Sequence, residues 1–231
     1  MLEIVQAGGW LMAPILLCSI AAMAITVERF WTLQRKRVAP PGLVLQVWEW
    51  TRAGSLTPDR LAQLRAGSPL GRVLSAGLAN RHLQRERVQE SIEDEGRQVV
   101  HELERYLSTL GTVASVTPLL GLLGTVIGMI KVFSVITVQG VGQPGVLAGG
   151  ISEALITTAA GLTVAIPTLI LYRYFRGRVN ALVMAMEQEV LKMMAALQDV
   201  SERRASEARA ATVSSSQEMR MRAARVGRVR A

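Results

Sequence analysis

The sequence predicts an all-α integral membrane protein with three transmembrane helices. Half of its 231 residues are hydrophobic, yet the formal net charge is +8. The two properties are segregated along the chain, because three long apolar stretches alternate with strongly charged ones. Each apolar stretch exceeds the roughly 20 residues that an α-helix needs to cross a hydrocarbon core. Segregation of this kind is typical of a multispan membrane protein.

The first apolar stretch predicts a transmembrane helix over residues 9–31, after a short outer N-terminus over 1–8. No basic region precedes it, and it ends in the charged flank "ERFWTLQRKR". A signal peptide has the opposite arrangement, whereas a basic flank after the apolar part stops translocation. A retained span is therefore favoured over a cleaved signal peptide.

The second and third stretches predict transmembrane helices over 108–138 and 146–172, joined by an uncharged outer loop over 139–145. A buried helical hairpin of a soluble protein is the alternative interpretation. The length of the stretches and their scarcity of charge disfavour it.

Basic flanks predict the orientation of the spans. "QRKR" follows the first span and "YRYFRGR" follows the third, whereas the opposite ends carry almost no charge. The positive-inside rule then places the N-terminus outside and the segment 32–107 inside. The C-terminal part lies inside as well.

The inner segments are predicted to be helical and to extend the second and third spans into the cytoplasm as long helices. Residues 79–110 repeat apolar residues at helical spacing and run without a break into the second span. A second such helix covers 173–211. The basic residues 212–231 predict a disordered tail, for which contact with membrane lipid is favoured over nucleic acid.

Motifs of conventional enzymes are absent from the sequence. It has no P-loop, no GxSxG motif and no carboxylate pair in a plausible cleft. His82 and His101 are interpreted as solvated surface residues rather than metal ligands, and Cys18 is the only cysteine. We expect neither enzymatic activity nor a metal or cofactor.

Small residues on the second and third spans predict close helix packing. Gly121, Gly124 and Gly128 lie on the second span, and Gly161 lies on the third. Small side chains let helix backbones approach where lipid supplies no hydrophobic driving force. Such faces suit many hairpins gathered round an axis, which indicates a homo-oligomer.

Between Arg105 and Arg173 the only charged residues are Lys131 and Glu153. A charge in lipid costs about 3 kcal/mol or more, so we expect Glu153 to face a bundle interior or a wet cavity. The alternative is a helix-start residue near the positive end of the helix dipole. Lys131 either pairs with Glu153 or extends outwards to the membrane surface.

The segments "TPLLGLLGTVIGMIKVF" (117–133) and "GISEALITTAAGLTVAIPTLILYRYF" (150–175) resemble the ExbB/TolQ family of proton-channel subunits, which includes MotA. The residues Glu28 and Arg29 after the first span and the three-span layout fit as well. MotA has four spans, so the chain is most similar to the ExbB and TolQ type.

The resemblance implies a ring, generally a pentamer, around ExbD- or TolR-like single-span partners that carry the titrating aspartate. Proton flow would then drive a TonB- or TolA-like protein from the bacterial inner membrane, with the N-terminus periplasmic. Thr125, Thr158 and Glu153 match the family's pore residues. The threonines have an alternative role as packing residues bonded to helix carbonyls.

The resemblance thus implies the proton-channel subunit of an energy-coupling motor. A structural or scaffold membrane protein, or a small-solute transporter, is the alternative. A secondary transporter usually shows inverted repeats and more spans, and the sequence has neither.

Overall fold

The computed structural model describes residues 8–140 and 144–229, with only the backbone described for residue 139 and residues 198–229. This part of the chain forms eight α-helices and no strand. In chain order the helices are α1 (Met12–Thr32), α2 (Arg35–Val38), α3 (Leu43–Arg52), α4 (Pro58–Gly67), α5 (Pro69–Ala79), α6 (Arg85–Glu104), α7 (Leu107–Gln139) and α8 (Pro144–Val229). The predicted all-α class is confirmed.

Within the described part of the chain, three helical segments are long and apolar enough to cross a membrane, namely Met12–Thr32, Arg85–Val138 and Pro144–Leu197. The predicted number of spans is therefore confirmed. The second and third segments contain charged extensions beyond their apolar parts, as the sequence indicates.

The chain folds as two compact units. The first, here called the membrane unit, comprises residues 1–38 and 97–183, and the second, the charged unit, comprises 39–96 and 184–231. Each unit has its own packing.

The core of the membrane unit is a close contact between α7 and α8, and glycines permit it. A Cβ atom added to Gly161 would lie 2.9 Å from the carbonyl oxygen of Thr117 and 3.1 Å from the Cα of Gly121. One added to Gly124 would lie 2.5 Å from Thr157 Cγ2. Since any larger side chain would push the helices apart, the contact depends on these small residues.

The end of α1 packs on α8 through aromatic rings. The Phe30 ring lies 6.0 Å from that of Tyr174 and 5.1 Å from that of Phe175. Phe175 is fully buried. Offset and edge-on ring pairs of this kind add to the stabilisation from burial alone.

The predicted unbroken helix from residue 79 into the second span is wrong, because α6 begins only at Arg85 and a break separates it from α7. Tyr106 adopts a left-handed conformation with φ 62°, the only described residue other than glycine with a positive φ. A tertiary contact stabilises this break. The buried guanidinium of Arg29 donates to the carbonyl oxygen of Leu103 at 3.1 Å, and it lies 5.3 Å from the centre of the Tyr106 ring.

Arg29 is itself held in place by its neighbour. Its Nε and Nη2 atoms donate to the two carboxylate oxygens of Glu28 at 2.6 and 3.1 Å. The ion pair keeps a buried guanidinium in a fixed orientation, which fits the preference of arginine for two-point bonding to carboxylates.

Helix caps define the short helices of the charged unit. Thr57 and Ser68 accept hydrogen bonds from the backbone at the starts of α4 and α5, and proline follows each of them. Both patterns are typical of helix N-termini. Glu95 on α6 bonds Arg72 on α5 at 2.8 Å, which ties these helices together.

The backbone of α8 continues to Val229, whereas the sequence predicts a disordered tail over 212–231. Arginine and alanine are frequent in this segment and are strong helix formers, which accounts for the difference. The side chains beyond residue 197 lie outside the described residues, so lipid contact by the tail stays a prediction.

The role of Arg29 at the break can be tested by Arg29→Met, which keeps most of the side-chain length and removes the hydrogen bonds. The Leu103 carbonyl then loses its charged donor, and we expect the free energy of unfolding to fall by about 2 kcal/mol. Thermal unfolding in detergent measures the change. Arg35→Met is the control, because Arg35 is exposed. Equal midpoints for the two variants would contradict the assignment.

Candidate functional site

Lys131 and Glu153 lie at matching depths on the two antiparallel helices of the membrane unit. Lys131 precedes the end of α7 at Gln139, and Glu153 follows the start of α8 at Pro144. At a rise of about 1.5 Å per residue, both lie some 12–14 Å from these helix ends. The short connection between the helices therefore brings the two charges to the same level.

The two side chains form an ion pair. Lys131 Nζ donates to Glu153 Oε1 at 2.7 Å. The side chain of Lys131 is 50% exposed and that of Glu153 is 27% exposed in the single chain. Of the two alternatives for Lys131, the structure thus contains the pair with Glu153 rather than an unpaired lysine at the membrane surface.

A glycine turn before α1 forms a third side of this site. Gly9 has φ +69°, and a Cβ atom added to it would overlap the Oε1 atom of Glu153. One turn further along α8, Thr157 Oγ1 donates to the carbonyl oxygen of Gly8 at 2.8 Å. The turn therefore needs glycine both for its backbone conformation and for its approach to the carboxylate.

The sequence does not predict this role of Gly8 and Gly9. The available signal was a pair of adjacent glycines directly before an apolar helix. Such a pair indicates a turn, but it does not identify a contact with a residue more than 140 positions away.

The two predicted pore threonines lie on the same hairpin, and their hydroxyls bond helix carbonyls. Thr158 Oγ1 donates across the contact to the carbonyl oxygen of Gly121 at 2.7 Å. Thr125 Oγ1 donates within α7 to Leu122 at 2.6 Å. Both threonines lie about 7–9 Å from the ion pair along their helices, on the same side of it. The structure gives no direct contact between either hydroxyl and the ion pair.

The site contains donors and acceptors of protons but no assembled metal site. Within residues 8–140 and 144–197, no group of three or more His, Cys, Asp or Glu side chains could hold a metal ion. The second carboxylate oxygen of Glu153 makes no hydrogen bond to the described residues. It is therefore free to accept a proton or a hydrogen bond from water or another chain.

Comparison with known protein families gives a match to the MotA/TolQ/ExbB proton channel family over residues 65–188. Among individual relatives, the chain is 35% identical over 169 residues to ExbB-like 1 of Synechocystis, covering 72% of this chain and 66% of that protein. It is 31% identical over 176 residues to ExbB-like 3 of the same organism, covering 74% and 83%.

A third relative is the Tol-Pal system protein TolQ of Pseudomonas aeruginosa. It is 35% identical over 162 residues, which cover 68% of this chain and 65% of the relative. The chain therefore spans about two thirds of the length of ExbB-like 1 and of this TolQ protein.

The contact between Gly9 and Glu153 can be tested by Gly9→Ala with Gly140→Ala as the control. The two glycines have φ values of +69° and +68°, but nothing lies within 4 Å of a Cβ atom at Gly140. Both variants bear the backbone strain of alanine in this region, and only Gly9→Ala displaces the carboxylate. We expect Gly9→Ala to lower the free energy of unfolding by about 1–3 kcal/mol more than the control, measured by thermal unfolding. Equal losses would contradict the contact.

Proposed function

Because this chain belongs to the MotA/TolQ/ExbB proton channel family, we propose that it is the proton-channel subunit of an energy-coupling motor. The proton gradient would drive movement in a complex with an ExbD- or TolR-like single-span partner that carries the titrating aspartate. That complex would then act on a TonB- or TolA-like protein. This role involves no catalysis of a chemical reaction and needs no cofactor.

The ion pair between Lys131 and Glu153 is the observation that carries this proposal. Both side chains are partly exposed in a single chain, although they lie on apolar helices. Charges in hydrocarbon are costly and are usually found in bundle interiors or water-filled cavities. A ring of subunits would enclose this site and remove it from lipid.

Exposed apolar side chains on the membrane unit support assembly into a ring. They cover the faces of α7 and α8 that do not meet each other, and include Leu119, Leu122, Val126, Ile130, Leu155, Leu162, Ile166 and Ile170. Lipid and neighbouring subunits would share these faces. We propose a pentamer, on the basis of the family resemblance.

Within the ring, we assign the proton pathway to Glu153, Thr125 and Thr158. The carboxylate has a free oxygen, and each hydroxyl keeps lone pairs for water while its proton is donated to a carbonyl. A chain of water molecules could therefore pass a proton along the hairpin. Lys131 stands beside the carboxylate at the outer part of this path.

The chain is a multi-pass membrane protein, and we propose the bacterial inner membrane as its location. The basic residues after α1, namely Arg35, Lys36 and Arg37, are exposed. Together with the basic residues after Tyr172, they favour a cytoplasmic location for these ends under the positive-inside rule. The N-terminus would then be periplasmic and the C-terminus cytoplasmic.

Glu153→Gln tests the proposed function. Glutamine keeps the shape and an acceptor for Lys131 but cannot carry the charge. We expect the ring to assemble at the wild-type size while gradient-driven work is lost. The measurement uses a strain that lacks its native copy of the gene, scored for energy-dependent uptake and envelope integrity.

Glu189→Gln is the matched control, because Glu189 also pairs with a lysine at 2.7 Å but lies in the charged unit. It should retain full activity. Protein level and subunit number, from native mass spectrometry, are compared in all three strains. Full activity of Glu153→Gln would leave Glu153 as a helix-start residue and would favour the scaffold alternative.

A further inference from the structure

We propose that Lys131 makes the Glu153 site selective for protons over sodium and other small metal cations. The inference rests on the proposed function and identifies a residue that determines the coupling ion.

The ammonium group of Lys131 occupies the position at Glu153 where a metal cation would bind. Its nitrogen lies 2.7 Å from Oε1, directly at the carboxylate oxygen that a cation would use as a ligand. The pair has no net charge, so the site exerts little attraction on a further cation. A fixed positive side chain in a narrow pathway is a known electrostatic barrier to cations.

With Lys131 in place, the oxygen atoms beside Oε1 do not complete a coordination shell for a metal cation. The carbonyl oxygen of Gly8, on the turn that contacts Glu153, already accepts a hydroxyl proton from Thr157. Hard cations need several oxygen ligands around one point, as magnesium and calcium sites illustrate. A proton needs only a continuous chain of donors and acceptors.

The contact with Gly9 closes a further side of the carboxylate. Because a methyl group would already overlap Oε1 at this position, no room for a hydrated cation exists between the turn and Glu153. At Oε1, the side that remains open is the one that Lys131 occupies, so a cation would meet the ammonium group there. Without the ammonium group, both oxygens of Glu153 would be open to a cation and to the water molecules that complete its coordination, which the wild-type protein does not allow at Oε1.

The experiment compares the purified full-length protein with Lys131→Met in detergent, in sodium chloride and in choline chloride of equal ionic strength. Methionine is close to lysine in length and carries no charge. A cation that binds the folded state alone raises the unfolding midpoint. We expect Lys131→Met to unfold about 2–4 °C higher in sodium than in choline, and the wild-type protein to unfold at the same temperature in both.

Lys192→Met is the matched control, because Lys192 pairs with Glu189 at the same distance of 2.7 Å but lies in the charged unit. It should show no difference between the salts. If Lys131→Met does not yield folded protein, Lys131→Gln replaces it, since glutamine can still donate to Glu153 without a charge. A sodium-specific shift in the wild-type protein would overturn the inference. The absence of such a shift in the folded Lys131 variant would overturn it as well.

The comparison of unfolding in sodium chloride and choline chloride uses no proton gradient. A missing sodium effect in the Lys131 variant therefore leaves the proposed motor function intact. Full activity of Glu153→Gln would contradict the motor function, whatever the comparison of the two salts shows.

Discussion

The ion pair between Lys131 and Glu153 constrains the membrane unit, because an unpaired charge among apolar helices is costly. Each partner needs the other within hydrogen-bond distance, and the observed separation of 2.7 Å meets that need. The pair can form only if α7 and α8 are antiparallel, close together and in one register. This arrangement is favoured by the glycine contacts, by the short connection between the helices and by the turn before α1.

Close packing and charge pairing are coupled in this hairpin. Gly128 lies one turn from Lys131, and a Cβ atom there would come within 2.7 Å of Ala154 Cβ. Ala154 in turn is adjacent to Glu153, so a larger residue at Gly128 would separate the two charges as well as the backbones. This coupling explains why a stretch so rich in small residues also carries the carboxylate.

The sequence predicts the three spans, the small-residue faces and the isolated position of Glu153, since these depend on local composition and helical periodicity. It leaves the partner of Lys131 open, because the pairing depends on the register of two helices. It also predicts an unbroken helix through Tyr106. The left-handed conformation there is stabilised by Arg29, which lies far away in the chain, and no local signal reports such a contact. The contact between Gly9 and Glu153 cannot be predicted from the sequence for the same reason, since the two residues lie far apart in the chain.

Charge exchange tests the ion pair most directly. Lys131→Glu and Glu153→Lys each place two like charges at the position of the pair. The double variant restores opposite charges, with the negative charge now on α7 and the positive charge on α8. We expect both single variants to lose stability and assembly in detergent, and the double variant to recover a large part of each. Thermal unfolding and native mass spectrometry of the three variants measure this. Single variants as stable as the wild-type protein, or a double variant no better than the worse single one, would contradict it.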